Sequence, residues 1–370
     1  MIRRSCVMCG KDKFTRADSI PAVPIYMGVT KAPASEDVFE TLEYVTCKHC
    51  GNLQLANLVP PEILYAKNHN TEVVGKIWQG HNIEFADFLS KYCKSKRVLE
   101  IGDPSAKIAR KCKFDKWYIV EPTTEHPDIP KNVEFLHGWL GQVQLPENID
   151  TVVMSHVFEH LHNPGQALDI LYDALSEVGS LVISIPSMRE ILMGKQLPPA
   201  GMHFEHTFYT DIKYMGKLLE QHGFGLVAWK TYINHSIFIV ACKLYDKHNV
   251  KWGRNVHLGR QVREVLNEYR ENIEHMNDYT AEVTARIDLY GAHLPAQSMI
   301  SLGLNVDDIL CVLDTSSAKE SKRLYGTNLI SRKPDIIKDV EKTIVICHMG
   351  PYTNEIVGHL RHINPTVEII

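Results

Sequence analysis

The sequence predicts an α/β fold in several parts, and three observations carry this. Short apolar strands alternate with helical segments through the centre, as in a mostly parallel sheet. Two C-x-x-C pairs crowd the first fifty residues. One long polar helix then separates the centre from a smaller strand–helix series at the end. A chain of 370 residues is long enough for two to three domains. We place them at residues 1–60, 61–250, 251–285 (the long helix) and 286–370. Apolar residues make up 44%, ordinary for a soluble globular protein, and the net charge of -4 removes the basic balance expected of a nucleic-acid binder. No apolar run approaches the ~18 residues of a membrane span. The opening MIRRSCVMCGK lacks the apolar core of a secretory signal. The expectation is a cytoplasmic protein with neither nucleic acid nor membrane as partner, whose oligomeric state the sequence leaves open.

The nine cysteines then belong in a reducing compartment, where metal binding is a better explanation than disulfides. Cys6 and Cys9 form one pair, Cys47 and Cys50 the other. Each pair offers two thiolates from one turn, and two such turns close a tetrahedral sulfur shell around zinc. Four protein ligands leave no open position, so the predicted zinc is structural and holds together a segment too small for its own core.

Residues 61–95 read as helical, with apolar positions in IEFADFLSKYC at helical spacing. RVLEIGD, WYIVEP, DTVVMSHVFEHL, SLVISIP, GLVAWKTY and SIFIVACKLY read as successive strands, with GQALDILYDALSE and DIKYMGKLLEQHGF as helices between. Ligands of open parallel sheets bind at the carboxyl ends of the strands. Glu100, Gly102 and Asp103 close the first strand, where a glycine admits a ligand close to the backbone. Glu121 ends the second, where an acid suits ribose hydroxyls. Ser155 and His156 stand at the tip of the third, facing the same crevice. Glu159 and His160 read as capping and packing residues before a helix that starts at Asn163 and Pro164. After the long helix, DLYGA, DILCVLD and KTIVICHMG read as strands of the second α/β domain.

GMHFEHTFYT, residues 201–210, packs His203, Glu205 and His206 into one short run. It suits an acid/base site. It also allows a polar loop or a metal site, although the spacing is not His-Glu-x-x-His and no third ligand is evident.

CVMC with CKHCGNLQL, VLEIGD, IVEP, SHVFEHLHNP, SIPS, HFEHTFYT, and YGAHLPAQSMISLGL with VLDTSSAKESKRLYGTNLI occur in this order. In that order the chain resembles, over nearly its whole length, the sugar C-methyltransferases that act on nucleotide-linked keto-deoxysugars. The resemblance implies an N-terminal zinc module, a central Rossmann-like class I methyltransferase domain that binds S-adenosylmethionine, and a C-terminal Rossmann-like α/β domain that binds the nucleotide-linked sugar. It implies His206 as the base, with Glu205 orienting it. His203 stands where the family has tyrosine and would donate a hydrogen bond to an enolate oxygen. The cofactor would lie at Glu100, Gly102, Asp103, Glu121, Ser155 and His156. Asp103-Pro104-Ser105-Ala106 replaces the family's Asn-Asp-Gly loop, and NHSIF replaces a Gly-Gly-Ser stretch followed by arginine, of which Ser236 remains. The alternatives are methylation of oxygen or nitrogen on a related substrate, and a non-catalytic protein that keeps the fold.

Overall fold

The computed structural model describes residues 1–65, 75–94, 96–124, 128–188, 192, 201–233, 235–244, 250–253 and 258–370. The helical reading of residues 61–95 lies partly outside these.

Strands β1 (Phe14–Pro24), β2 (Val29–Thr30), β3 (Phe39–Cys47) and β4 (Leu53–Leu55) build the N-terminal part. β1 and β3 run antiparallel from Phe14 opposite Cys47 to Pro24 opposite Phe39. Each C-x-x-C pair is followed at once by a glycine with positive φ, Gly10 at 70° and Gly51 at 82°. That conformation costs a glycine little and folds the chain back, so that Gly10 N–H donates to Cys6 O (2.9 Å) and Gly51 N–H to Cys47 O (2.8 Å). The four sulfurs are thereby turned inward.

After α1 (Pro61–Leu64) comes α2 (Lys76–Tyr92), which buries Phe85, Ala86, Phe88 and Leu89 at helical spacing. The central sheet is built from β5 (Arg97–Ile101), β6 (Lys116–Glu121), β7 (Val133–His137), β8 (Ile149–Ser155), β9 (Leu175–Pro186), β11 (Phe224–Tyr232) and β12 (Ser236–Lys243), in the order β11-β12-β9-β8-β5-β6-β7. β12 runs antiparallel to both neighbours, and the other pairings are parallel. Helix α3 (Pro164–Ala174) leads back to β9, and α4 (Ile212–Gln221) leads into β11. The chain leaves β5 outward through β6 and β7, then crosses to β8 on its other side. This reversal opens a crevice above the tips of β5 and β8. The two-residue β10 (Phe208–Tyr209) leaves this sheet and pairs antiparallel with β4 of the cysteine part.

The long helix α5 (Leu258–Glu282) buries Val262, Leu266, Tyr269 and Ile273, a stripe spaced four, three and four apart. That stripe shares its core with Ala17, Ile20 and Leu42 of the N-terminal strands. Arg270 forks onto Asp18 (3.0 and 3.1 Å), and Arg263 donates to Ala17 O (2.8 Å). The helix therefore packs along the cysteine part.

The C-terminal domain contains β13 (Arg286–Tyr290), α6 (Leu294–Ser301), β14 (Ile309–Leu313), β15 (Arg323–Leu324), β16 (Ser331–Arg332), β17 (Thr343–Ile346), α7 (Thr353–Ile363) and β18 (Glu368–Ile369). Its sheet, β16-β14-β13-β17-β18, is parallel throughout. β15 instead pairs with β2, and Arg323 grips Asp37 through both guanidinium nitrogens (2.5 and 2.8 Å), joining the two ends of the chain. Among the described residues no helix is long and apolar enough to cross a membrane.

Candidate active site

The cysteine cluster fits a tetrahedral metal. Cys6 Sγ and Cys50 Sγ lie 3.6 Å apart, as do Cys9 Sγ and Cys47 Sγ, and all four sulfurs fall within 4.8 Å of one another. Zinc–sulfur bonds of about 2.3 Å in a tetrahedron put sulfurs about 3.8 Å apart. These four residues would hold the ion.

The first three strand tips place Gly102, Glu121, Ser155 and His156 around one crevice, whereas Glu100 and Asp103, expected there too, turn inward. Gly102 has φ 73° and packs so closely on Val157 that a Cβ would stand 2.8 Å from its Cγ2. The glycine is thus required by packing as well as by the turn. Asp103 turns its carboxylate into its own loop, accepting from Ser105 N–H (3.0 Å) and Lys107 N–H. Glu100 has no exposed surface and accepts from Trp117 Nε1 (2.8 Å), and burial pushes its carboxyl well above the usual range. It supports the turn from beneath. Glu121 lies at the tip of β6, where Oε1 accepts from Thr123 N–H (3.0 Å). Ser155 and His156 are half-buried at the tip of β8. His156 has φ 54°, a conformation that costs a non-glycine residue about 1–3 kcal/mol and concentrates at functional sites. A tight glycine turn, an acid at the next strand tip and a polar third tip are the donor set a nucleoside cofactor asks for.

The run 201–210 is held from the cysteine side. Tyr44 OH donates to Met202 O (2.8 Å), Leu55 N–H donates to Thr207 O (3.0 Å), and Phe208 pairs opposite Gln54. His206 is buried, and its Nδ1 meets Gly201 O at 2.6 Å. This contact requires a proton on Nδ1, which fixes the tautomer and leaves Nε2 as the basic nitrogen. Burial first, then the imidazoles of His203 and His160, push the His206 pKa well below its usual value. His206 is therefore neutral at working pH. The His203 ring lies 4.2 Å from the His206 ring, centroid to centroid, and Glu205 Oε2 lies 4.0 Å from His160 Nδ1.

The structure adds three residues to this site. Glu159 and His160 form a 3-10 turn, Phe158–His160, directly after the tip of β8. Glu159 is buried, and its Oε1 lies 3.9 Å from His206 Nε2 and 3.1 Å from His156 Nδ1, while neither of its oxygens has an aligned hydrogen-bond donor. Burial raises its pKa, against the lowering pull of His160 and His206. Tyr65 OH bonds His160 Nδ1 at 2.8 Å, and burial together with Glu205 and Glu159 keeps that phenol protonated. The sequence showed no third polar partner for His203 and His206. In the fold Glu159, His160 and His206 come within 4.8 Å of one another.

Residues 79–228 match a protein family described as a methyltransferase domain, a span that covers the sheet from β5 to β9 and reaches into β11. No curated protein sequence matches the chain. Among solved structures, the chain is similar to the Burkholderia thailandensis 1,6-didemethyltoxoflavin-N1-methyltransferase, solved with 1,6-didemethyltoxoflavin and S-adenosylhomocysteine. The identity is 14% over 54% of this chain and 98% of that one, with a TM-score of 0.40. It is also similar to an S-adenosylmethionine-dependent methyltransferase from Aquifex aeolicus, at 18% identity over 46% and 97% of the two chains and a TM-score of 0.36. One from Mesorhizobium loti shows 11% identity over 44% and 98%, with a TM-score of 0.34. The family match and the strand order agree on residues 79–228: they form a methyltransferase domain with a Rossmann-like fold.

Proposed function

We infer that the protein transfers a methyl group to a carbon beside the keto group of a nucleotide-linked sugar, with His206 as the base. The observation that carries this reading is the state of His206: buried, neutral, its tautomer fixed by Gly201 O, with a buried carboxylate 3.9 Å from its basic nitrogen. A hydroxyl also gives up a proton on methylation, so His206 alone would serve either acceptor, and the resemblance of the 201–210 run to the sugar C-methyltransferases directs the choice to carbon. A carbon must first lose a proton, and the ketone makes that proton acidic enough for a positioned imidazole. When bound, S-adenosylmethionine supplies an electrophilic methyl on a sulfonium, and Gly102, Glu121, Ser155 and His156 would hold it at the strand tips. His206 Nε2 takes the α-proton. Glu159 faces the resulting imidazolium and offsets its charge, as the acid of a triad does. Glu205, expected to orient His206, stands 4.0 Å from His160 Nδ1 instead, and His203 donates to the enolate oxygen.

Zinc at Cys6, Cys9, Cys47 and Cys50 holds the sheet that brackets the 201–210 run. The C-terminal domain binds the nucleotide-linked substrate. Its helix α6 comes beside His203 and Glu205 around a small apolar cavity that Ile25 and Leu294 also line, which supports that placement. No two of the nine cysteines form a disulfide, and four of them close the metal cluster, in keeping with a reducing compartment. Carbon NMR of the product tests the reading. A new methyl signal coupled to a ring carbon supports it; a methyl on oxygen or nitrogen overturns the carbanion step, and no product with bound cofactor leaves a non-catalytic fold.

A further inference from the structure

The base must lose the proton it takes before the next turnover, and a buried imidazole does not reach solvent by itself. A line of side chains leads away from it. Glu159 Oε1 faces His206 Nε2 (3.9 Å) on one side and His156 Nδ1 (3.1 Å) on the other. His156 Nε2 bonds Ser236 Oγ at 2.8 Å, and Ser236 Oγ also meets His235 Nδ1 at 2.5 Å. His235 is half-buried, whereas Ser236 has no exposed surface. Trp78 covers the line, with its ring 4.7 Å from His156 and 4.6 Å from His235, edge to face. We propose that Glu159, His156, Ser236 and His235 form a proton relay that carries the substrate's α-proton from His206 to solvent.

Each member suits that task. An imidazole presents one ring nitrogen to each side, and a serine hydroxyl accepts on one side while donating on the other. His206 gives its Nε2 proton to Glu159 Oε1 when the two close to hydrogen-bond distance. The carboxylic acid passes a proton to His156 Nδ1 as His156 Nε2 gives its own to Ser236 Oγ. The serine's hydrogen moves to His235 Nδ1, and His235 Nε2 releases one to water. One proton enters and one leaves; each member breaks one N–H or O–H bond for the one it forms, and His156 and His235 finish in the opposite tautomer, which the reverse shift of their ring protons restores. Burial favours the neutral form of both histidines, as passing a proton on without storing it requires. The left-handed backbone of His156, φ 54°, is the strain expected where the fold must aim a side chain against local preference. These four act through His206 as positioning and transfer residues.

The relay deepens the acid–base reading of His206 and rests on it. Ser236→Ala breaks the line at its middle, and Ser236→Thr restores the hydroxyl. In dilute buffer, Ser236→Ala should lower kcat about 10- to 100-fold with KM unchanged, added imidazole should recover most of it, and Ser236→Thr should retain wild-type behaviour. A residue that only packs would show neither the rescue nor the dependence on buffer. Wild-type turnover in Ser236→Ala at low buffer overturns the relay. Nitrogen NMR of the histidines gives an arm free of substrate: Ser236→Ala should shift the His156 and His235 ring signals together, and independent signals overturn the relay. Failure of the base assignment itself is distinguishable, because the α-proton would then exchange at the same rate in the wild type and in His206→Ala, or in neither.

Discussion

Breaking the metal cluster should disarm the catalytic run as well as destabilise the cysteine sheet, because the two share backbone hydrogen bonds. The perturbation is Cys47→Ser. A structural zinc contributes about 10–16 kcal/mol in small metal-dependent folds, so loss of one ligand in four removes about 3 kcal/mol. Cys47 ends β3, which pairs with β4, and β4 pairs with β10 immediately after His206. If the sheet loosens, the 201–210 run loses the bonds Tyr44 OH to Met202 O and Leu55 N–H to Thr207 O. At about 1 kcal/mol each, with the Phe208–Gln54 pairing besides, the loss is about 2–3 kcal/mol of positioning. That corresponds to about 30- to 150-fold in turnover if it falls wholly on the reactive geometry. The assay joins elemental analysis, which should give one zinc per wild-type chain, to hydrogen exchange of residues 201–210. Exchange in that segment should speed up in Cys47→Ser and in chelated wild type, well before the central sheet melts. A metal-free protein with native melting temperature and unchanged exchange in 201–210 would refute both the zinc and the coupling.

Three further outcomes follow from the site. Glu121→Ala should weaken S-adenosylmethionine binding by about 1.5–3 kcal/mol, measured by calorimetry, and an unchanged dissociation constant would remove Glu121 from the cofactor site. His206→Ala should lose about two to four orders of magnitude in kcat while binding cofactor normally, and full activity would remove the histidine from the mechanism. His81, His156 and His235 are each pushed down to about 3, chiefly by burial, whereas in the unfolded chain they protonate near 6.5. Below pH 6.5 the unfolded state takes up more protons, so stability is full above that pH and falls on acidification towards pH 3. The fall is up to about 1.4 kcal/mol per pH unit for each histidine, and urea titrations at pH 7 and pH 5 that gave equal stability would contradict it.

The parts legible in the sequence are those with local causes. C-x-x-C spacing, with a glycine after each pair, gives two knuckles whatever lies between them, and the structure brings their sulfurs together. The strands with continuous apolar runs were readable for the same reason. β7 was not, because VEFLH mixes charge with apolar residues on a half-exposed sheet edge and so carries no strong period. In the local pattern Glu159 and His160 read as cap and packing residues. Their place beside His206 depends on a 3-10 turn after β8 and on the return of the chain along β4, two relations that no local pattern records. Ser236 was legible only as a residue kept from a motif. Its hydrogen bonds to His156 and His235 follow from β12 lying beside β9, with Ser236 opposite Pro186. A polar residue at or just past the end of an apolar strand, as at Ser236 and Glu159, is the one signal that points to both.

Proton exchange in heavy water without the methyl donor tests the central claim most directly. The protein is incubated with a nucleotide-linked keto sugar, and the hydrogen beside the ketone is followed by NMR. If His206 is the base of a carbon methyltransferase, the wild type exchanges that hydrogen for deuterium and His206→Ala does not. Exchange at the same rate in both proteins, or none in a wild type that methylates the same substrate on oxygen or nitrogen, would contradict it.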